Sequence, residues 1–286
     1  MPKTKTNPLI KPYLKWAGGK RQLLPEIEKY LPENLREYTY YEPFVGAGAL
    51  FLKLQPRNAI INDFNSQLIL TYSVIKNNVE GLIRALDVHK NNNSEEYFYE
   101  IRSLDRDANT FNAMTDVEKA ARIIFLNKTC YNGLYRVNSQ GLFNVPYGKY
   151  KNPEIANNTV LRAISAYLND PHKHITIMNS DFSQAVRHAG RRSFVYFDPP
   201  YDSPDNTNFT GYQAGGFDRD EQIRLRDLFI ELTLRGTKCL LSNSDTQFIR
   251  ELYDDRFTII EVEAKRIINS DATGRGNVSE LLIKNY

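Results

Sequence analysis

The sequence predicts an α/β protein with an open, doubly wound sheet, because short strand-like segments alternate with segments of helical periodicity. The strand-like segments are rich in β-branched and aromatic residues, as in SFVYF at 193–197. Parallel strands are predicted at 39–43, 58–62, 174–178, 193–197 and 237–242. Two final segments, 257–263 and 278–284, are predicted to pair antiparallel.

Helices are predicted where apolar residues recur at three- and four-residue spacing. They span 20–31 (bent at Pro25), 65–77, 79–90, 94–105, 115–128, 158–168, 218–235 and 245–253. Thr115 and Glu118 have the spacing of a capping box. Glycines and Pro146 interrupt the helical period over 130–150, which favours a β-hairpin or structured loop there.

The order of these elements predicts two domains. Residues 1–66 and 158–286 would form one discontinuous α/β domain, and 67–157 a helical and hairpin domain inserted into it. The 286 residues are sufficient for this, with 41% apolar and 25% charged residues and a net charge of +3, as in ordinary globular proteins.

Composition also excludes several classes of protein. No apolar run reaches the roughly 18 residues of a membrane span, and the polar start of the chain does not resemble a signal peptide. Cys130 and Cys239 form neither a CxxC pair nor a disulfide framework, so we expect a cytoplasmic protein. The four histidines lack metal-ligand spacing, and we expect no metal site.

The tetrapeptide Asp198-Pro199-Pro200-Tyr201 directly follows the predicted strand 193–197. Ligands of open α/β sheets bind outside the carboxyl ends of the strands, where this tetrapeptide would lie. Two prolines stiffen the turn and remove two N–H donors, which leaves carboxylate and carbonyl acceptors beside an aromatic face. Such a site suits a planar ligand that carries an amino group, although an Asp-Pro turn that only ends a strand has the same pattern.

Two glycine-containing loops are further candidates. In Phe44-Val45-Gly46-Ala47-Gly48, between a strand and a helix, the glycines permit close backbone approach to a ligand, but Phe51 replaces the third glycine of a dinucleotide fingerprint. Asp63 ends the next strand, where an acid holds ribose hydroxyls or caps a helix. Residues 15–20, KWAGGK, contain the only tryptophan in the chain. This basic, glycine-rich loop suits the binding of an anionic group, although a core tryptophan flanked by two solvated lysines has the same pattern.

Acidic residues are missing between Glu118 and Glu154. The same stretch contains six Lys and Arg residues, together with aromatic and amide side chains that can stack on bases and contact phosphates. We therefore expect a nucleic-acid-binding surface there. The basic residues are Lys119, Arg122, Lys128, Arg136, Lys149 and Lys151, and the aromatic residues are Phe125, Tyr131, Tyr135, Phe143, Tyr147 and Tyr150.

Together these motifs resemble the DNA adenine-N6 methyltransferases, and their order is similar to that of the Dam/DpnM-type group (D12 class, alpha group). The resemblance covers nearly the whole chain and includes NSDF at 179–182, SNSDT at 242–246 and the segment 131–150. It implies a Rossmann-like class I methyltransferase fold with an inserted target-recognition domain. It also implies S-adenosylmethionine as methyl donor and an adenine extruded from duplex DNA, within GATC, as target.

The resemblance further implies roles for individual residues. Catalysis would use Asp198, Pro199, Pro200 and Tyr201, with Tyr201 stacking on the extruded base. The cofactor would contact Trp16, Ala17, Gly18, Lys20, Phe44, Gly46, Gly48, Asp63, Asp181, Phe182 and Asp198; Asp63 would bind its ribose, and Asp181 and Phe182 its adenine. DNA would contact Lys15, Tyr131, Asn132, Leu134, Arg136, Asn138, Pro146, Lys149 and Tyr150, with Arg136 reading a guanine.

Three other functions remain open: an RNA or protein-amide methyltransferase, an NAD-dependent oxidoreductase, and a DNA-binding module without catalysis. Phe51 and the DPPY tetrapeptide disfavour the oxidoreductase, and the intact Asp198 and glycines disfavour the inactive module. The expected enzyme is a bacterial or phage-encoded monomer whose partner is double-stranded DNA, with no direct contact to any cognate restriction endonuclease.

Overall fold

A computed structural model describes residues 6–16, 23–203, 216–265 and 277–286. Within these ranges a seven-stranded sheet runs in the order β3-β2-β1-β4-β5-β7-β6. The strands are β1 (Thr39–Glu42), β2 (Asn58–Asn62), β3 (His174–Met178), β4 (Ser193–Phe197), β5 (Lys238–Ser244), β6 (Thr258–Lys265) and β7 (Asn277–Lys284). The α/β class and all seven predicted strands are thus confirmed, with shifts of a few residues at their ends.

Strand direction separates the sheet into two parts. The first five strands pair in parallel, whereas β7 is antiparallel to both of its neighbours, β5 and β6. The predicted antiparallel pairing of the last two strands is therefore confirmed. Chain order reverses between β1 and β4, the point at which doubly wound sheets open a ligand-binding crevice at the carboxyl ends of their strands.

Helices connect these strands, and most of the predicted ones are present with modest shifts at their ends. The predicted bend at Pro25 is wrong: the helix runs over Leu24–Lys29 and has Pro25 in its first turn, where its missing N–H costs no hydrogen bond. Two short helices, α6 and α9, were not predicted from the sequence. Thr115 and Glu118 form the predicted capping box at the start of α7. The helices are α1 (Leu24–Lys29), α2 (Ala49–Leu54), α3 (Ser66–Asn77), α4 (Val79–Asn91), α5 (Glu95–Ser103), α6 (Ala108–Ala113), α7 (Asp116–Thr129), α8 (Asn158–Leu168), α9 (Phe182–Ala185), α10 (Arg219–Leu234) and α11 (Gln247–Tyr253).

Apolar side chains form two clusters, one on each face of the sheet. The larger cluster joins the sheet to α3, α4, α7 and α8, so the inserted helices share a core with the sheet. The smaller one lies between the sheet and helices α9, α10 and α11. Both cysteines are buried as free thiols. Among the described helices, none combines the length and apolarity that a membrane crossing needs.

The segment 130–150 forms an irregular hairpin, as one of the two sequence interpretations predicts. Two isolated antiparallel bridges, Cys130–Tyr147 and Val137–Phe143, hold its two arms together. The Asn138 side chain closes the tip by accepting hydrogen bonds from two backbone N–H groups, each at 3.0 Å. We call residues 130–150 the recognition hairpin below, in line with the role that the sequence predicts.

Candidate active site and nucleic-acid interface

The DPPY loop, residues 198–201, begins at the carboxyl end of β4 and is held from β5. Ser242 Oγ donates a hydrogen bond to Asp198 Oδ1 at 2.8 Å and lies 3.0 Å from the Tyr196 hydroxyl. Burial raises the pKa of Tyr196 well above its usual value, and the negative charge of Asp198 adds to the shift. Tyr196 therefore stays neutral, and a chain of two hydroxyls orients the Asp198 carboxylate.

A buried amide pair holds the rest of this loop. Gln222 Nε2 on α10 donates to the Pro200 carbonyl at 2.8 Å, and Gln222 Oε1 accepts from Asn243 Nδ2 at 3.0 Å. Asn243 Oδ1 in turn accepts the backbone N–H of Asp202 at 3.1 Å. Gln222 and Asn243 are both fully buried, so each lost bond would leave a polar atom without solvent. Sequence reasoning missed Gln222, which sits unremarkably in an amphipathic helix.

Tyr201 is fixed from a third direction, by β7. Its hydroxyl donates to Glu280 Oε2 at 2.7 Å, and Glu280 lies opposite Ser244 in the β5–β7 register. Burial raises the pKa of Tyr201 well above its usual value, and the carboxylates of Asp198 and Glu280 contribute to the same shift. The phenol is therefore a neutral donor. No sequence motif indicated Glu280.

The glycine turn, residues 44–48, joins β1 to α2 and has the backbone that only glycine adopts easily. Gly46 has φ +49° and Gly48 φ +71°. A Cβ on Gly48 would lie 2.6 Å from the Tyr72 hydroxyl, and one on Gly46 would lie 3.1 Å from Trp16 Cδ1. The Tyr72 hydroxyl itself donates to the Gly46 carbonyl at 3.0 Å. Side chains are thus excluded from both positions, because Trp16 and Tyr72 pack directly on the turn.

Asp63, at the end of β2, is bound to this turn. Its Oδ2 accepts the Gly46 N–H at 3.0 Å, and its Oδ1 accepts the Asn65 N–H at 2.9 Å. Burial raises the pKa of Asp63 to about 6, although both hydrogen bonds oppose the shift. Asp63 therefore supports the turn and still titrates close to neutral pH.

A second buried acid, Glu42, ends β1 between Asp63 and Asp198. Its Oε2 accepts the Tyr40 hydroxyl at 2.7 Å. Burial raises the pKa of Glu42 well above its usual value, the Tyr40 hydrogen bond opposes this, and the charges of Asp198 and Asp63 add to it. Three carboxyl groups thus follow three adjacent strands, β2, β1 and β4, and influence one another electrostatically.

Aromatic rings line the next part of the same sheet edge. The Phe44 and Phe182 ring centroids are 5.3 Å apart, and Phe217 lies within 6.0 Å of both. The Arg224 guanidinium lies over the Phe182 ring at 4.2 Å and pairs with Asp181, with Nη2 and Oδ2 2.6 Å apart. The predicted adenine-binding residues Asp181 and Phe182 are therefore adjacent, with the Asp181 carboxylate engaged by Arg224.

The predicted residues near the N-terminus reach both the glycine turn and the recognition hairpin. Trp16 stacks on Tyr135, with centroids 4.8 Å apart and planes at 24°, and its edge touches Gly46. The Lys15 ammonium lies 5.0 Å from the Tyr150 ring centroid. Three further residues predicted to contact the cofactor, Ala17, Gly18 and Lys20, lie outside the described residues.

Most side chains predicted to contact DNA lie on the surface of the recognition hairpin. Leu134 and Tyr150 are partly buried, and Asn138 is partly buried at the tip with its carboxamide oxygen engaged in the turn. Arg136 Nε donates to Asn144 Oδ1 at 2.8 Å. Lys149 Nζ lies 3.8 Å from Glu95 of α5, so an acid does approach this surface. The exposed residues are Tyr131, Asn132, Arg136, Pro146 and Lys149.

The expectation that all basic and aromatic residues of 119–153 form one surface is wrong. Arg122 is fully buried: its Nη2 pairs with Asp105 Oδ2 at 2.8 Å, and its Nε donates to the Ile101 carbonyl. Phe125 and Phe143 are also in the core. Asp105 lies before the acid-free stretch, so counting charges along the chain did not reveal the pair.

The chain is similar in sequence to one known protein family and to several of its members. A family model of the D12 class N6 adenine-specific DNA methyltransferases matches residues 16–268. The chain is 46% identical over 278 residues to the Type II methyltransferase M1.LlaDCHI of Lactococcus lactis subsp. cremoris, covering 97% of this chain and 96% of that protein. It is 44% identical to the Type II methyltransferase M.MjaIII of Methanocaldococcus jannaschii, covering 97% and 99%. The DNA adenine methylase of Escherichia coli K12 is 34% identical, over 94% and 93%.

The sheet order and these matches define a DNA methyltransferase with a Rossmann-like fold. The chain belongs to the D12 class N6 adenine-specific DNA methyltransferase family. It therefore transfers a methyl group from a donor cofactor to adenine N6 of DNA. The oxidoreductase, the RNA or protein-amide methyltransferase and the inactive DNA-binding module are not favoured by these matches. Among the described residues no cluster of ligands suits a metal ion.

Proposed function

We propose that the protein uses S-adenosylmethionine to methylate N6 of an adenine that has been extruded from GATC in duplex DNA. The observation that carries this proposal is the convergence of two loops at the switch point of the sheet. The glycine turn follows β1 and the DPPY loop follows β4, its neighbour, so the two predicted loops begin side by side at one edge of the sheet. We propose residues 1–66 and 158–286 as the catalytic domain and 67–157 as the target-recognition domain.

The residues around the glycine turn fit this donor. Gly46 and Gly48 let Trp16 and Tyr72 pack directly on the turn, and Asp63 keeps lone pairs on both carboxylate oxygens for ribose hydroxyls. The partly exposed Phe44 ring, which packs on Phe182, offers an aromatic face on which an adenine ring can pack. When bound, the donor supplies an electrophilic methyl group on a positively charged sulfur.

The DPPY loop fits an adenine amino group. The N6 lone pair of adenine is delocalised into the ring, which makes N6 a poor nucleophile. The Asp198 carboxylate and the Pro199 carbonyl would accept the two N6–H groups and so localise that pair towards the donor. Positioning and electrostatics are then sufficient, without a covalent enzyme intermediate. The base must leave the duplex to reach this depth, and Tyr201 would stack on it there.

The recognition hairpin supports sequence-specific DNA binding. Arg136 uses Nε to bind Asn144, so its terminal nitrogens are the ones that would face guanine O6 and N7 in the major groove. Tyr131, which is 51% exposed, would insert into the base stack, and Leu134 and Pro146 would contact neighbouring bases. Lys15 would contact the outer guanine, with Asn132 and Lys149 on the backbone.

The test is label transfer from S-adenosylmethionine to a GATC duplex and to a duplex with one base pair of the site changed. Wild-type protein should label the first duplex strongly, and Asp198→Ala should abolish transfer. Arg136→Ala should lower the ratio of label transfer between the GATC duplex and the changed duplex by about 10- to 100-fold. Lys151→Ala changes an exposed lysine beyond the hairpin and should leave this ratio unchanged. Equal labelling of both duplexes by wild type would refute GATC recognition, and full transfer by Asp198→Ala would refute the mechanism.

Three broader proposals accompany this function. The protein would act in the cytoplasm as a monomer, like a methylase that needs only DNA and donor. Any cognate restriction endonuclease would share its DNA site without touching it. Size-exclusion chromatography with light scattering tests the monomeric state, which a stable dimer would contradict.

A further inference from the structure

We propose that Tyr135 is a positioning residue that couples donor binding to target recognition. It lies at the base of the recognition hairpin, one residue before Arg136, and it contacts Trp16, which in turn contacts the glycine turn. This inference rests on the proposed function, because it concerns how the proposed donor site and the proposed DNA-reading residues act on each other.

The first contact is made by the faces of two rings. Tyr135 stacks on Trp16, with ring centroids 4.8 Å apart and planes at 24°. The edge of the indole meets the glycine turn, because a Cβ on Gly46 would lie 3.1 Å from Trp16 Cδ1. Trp16 is thus packed between the hairpin and the backbone that would contact the donor. A ligand that shifts the turn must shift the indole, and with it the Tyr135 ring.

The second contact is polar and reaches the same turn by another route. The Asn65 side chain lies near the Tyr135 hydroxyl, where it lowers the pKa of Tyr135 against the larger, opposite effect of burial. The Asn65 backbone N–H donates to Asp63 Oδ1, and Asp63 Oδ2 accepts the Gly46 N–H. Tyr135 is 5% exposed, so its hydroxyl lies in a mostly buried setting beside this amide. The ring and the hydroxyl of one hairpin residue therefore both depend on the donor turn.

On the other side, Tyr135 determines where the reading arm of the hairpin lies. Its ring packs on Phe143 of the opposite arm, with centroids 5.8 Å apart. The next residue, Arg136, pairs with that arm through its carbonyl, which accepts the Asn144 N–H, and through its Nε. The buried Asn127 side chain ties the Lys15 backbone to the Gly133 carbonyl, which closes the same junction.

This arrangement predicts a reciprocal coupling. If donor binding fixes the conformation of the glycine turn, it also fixes Tyr135 and the hairpin arm that carries Arg136. The donor should then lower the Kd for the cognate duplex. By linkage, the duplex should tighten donor binding by the same factor. Couplings of this kind are typically about 5- to 150-fold.

The experiment uses the single tryptophan as a local probe, since Trp16 is the only one in the chain. S-adenosylhomocysteine and a GATC duplex are titrated separately and together, following Trp16 fluorescence and, independently, calorimetric heat. The ratio of duplex Kd without and with S-adenosylhomocysteine gives the coupling factor. Tyr135→Phe keeps the stack but removes the hydroxyl, and Tyr135→Leu removes both. Tyr147→Phe is the matched control, because Tyr147 belongs to the same hairpin but its ring packs on Phe98 of α5.

We expect a wild-type factor of at least about 5, a factor near 1 in Tyr135→Leu, and an intermediate factor in Tyr135→Phe, which keeps the stack. The Tyr147→Phe variant should match wild type. If S-adenosylhomocysteine fails to bind wild type at all, the proposed donor is wrong. If it binds and the duplex Kd is unchanged, the coupling is absent and only this inference is overturned. A Tyr135→Phe variant with the full wild-type factor would also overturn the polar half of the contact, even if Tyr135→Leu does not fold.

Discussion

Replacing Glu280 with alanine should slow methyl transfer without weakening donor binding. Glu280 contacts the predicted catalytic loop through one bond, from the Tyr201 hydroxyl to Oε2 at 2.7 Å. Because the pKa of Tyr201 is raised well above its usual value, the phenol remains a donor throughout the working pH range. The bond therefore fixes the ring that we propose to stack on the extruded adenine.

The magnitude follows from the type of bond. A hydrogen bond to a charged group contributes about 1.5–3 kcal/mol, and each 1.36 kcal/mol corresponds to tenfold in rate. If the whole contribution is used to hold the Tyr201 ring, Glu280→Ala should lower kcat by roughly 10- to 100-fold. Glu280→Gln keeps a neutral acceptor of about half the strength and should lower kcat by only about 3- to 10-fold. Tyr201→Phe should resemble Glu280→Ala.

The assay is single-turnover methyl transfer to a GATC duplex, with a fluorescent adenine analogue at the target position to report extrusion. The double variant Glu280→Ala with Tyr201→Phe should be no slower than either single variant, because both remove the same bond. Kd for S-adenosylhomocysteine should stay at the wild-type value in all three. Effects that multiply in the double variant, or an unchanged kcat in Glu280→Ala, would refute the assignment of Glu280 as a positioning residue.

Three further outcomes follow from the structure. S-adenosylhomocysteine affinity should fall about tenfold from pH 7 to pH 5 by calorimetry, because Asp63, with a pKa of about 6, loses its carboxylate in that interval; Asp63→Asn should bind weakly and without this dependence. Asp105→Ala should lower the free energy of unfolding in urea by about 3–5 kcal/mol, since it leaves the buried Arg122 charge uncompensated. Gly48→Ala should lose about 1–3 kcal/mol of stability and most donor affinity, because of its positive φ and the contact with Tyr72.

Each of these outcomes has a matched control in the chain. Asp255→Asn changes an exposed acid and should leave the pH dependence of donor binding intact. Glu80→Ala breaks an exposed ion pair with Arg162 and should cost at most about 1 kcal/mol. Gly141→Ala has the same sign of φ but no atom within 4 Å of the added Cβ, so it isolates backbone strain from steric contact. An equal loss of stability in Glu80→Ala and Asp105→Ala would contradict the claim that burial makes the loss of the Asp105–Arg122 pair costly.

Local patterns were sufficient to predict the fold. All strands and most helices are coded by periodicity within short windows, and the DPPY and glycine motifs are contiguous in sequence. The ends of strands meet at one edge of a parallel sheet, so placing Asp63 and Asp198 near one another needed only the strand assignment. The short helices α6 and α9 were missed because six and four residues are too few to display a period.

Residues that hold the site from a distance could not be predicted in the same way. Gln222 and Glu280 reach the DPPY loop from 22 and 79 residues away, and nothing in their local sequence distinguishes them from surface residues. Arg122 shows the converse error: it counts as a positive charge in an acid-free stretch, but its partner Asp105 lies outside that stretch and both are buried. Composition describes which groups are present, whereas tertiary pairing decides which of them reach solvent.

The three carboxyl groups at the switch point explain why the site suits a methyl donor of the proposed kind. Glu42 ends β1, and Asp63 and Asp198 directly follow its two neighbours, β2 and β4. Burial raises the pKa of Glu42, and the negative charges of Asp198 and Asp63 add to the shift, so ionised carboxylates at this edge of the sheet disfavour a further negative charge there. A dinucleotide cofactor, whose diphosphate is anionic, would gain nothing from this negative field. A cationic sulfonium, and the positive charge that develops on N6 during transfer, would both be stabilised by it. Electrostatics therefore favours the same ligand and the same reaction as the motifs do, through residues of which only Asp63 and Asp198 were predicted to contact it.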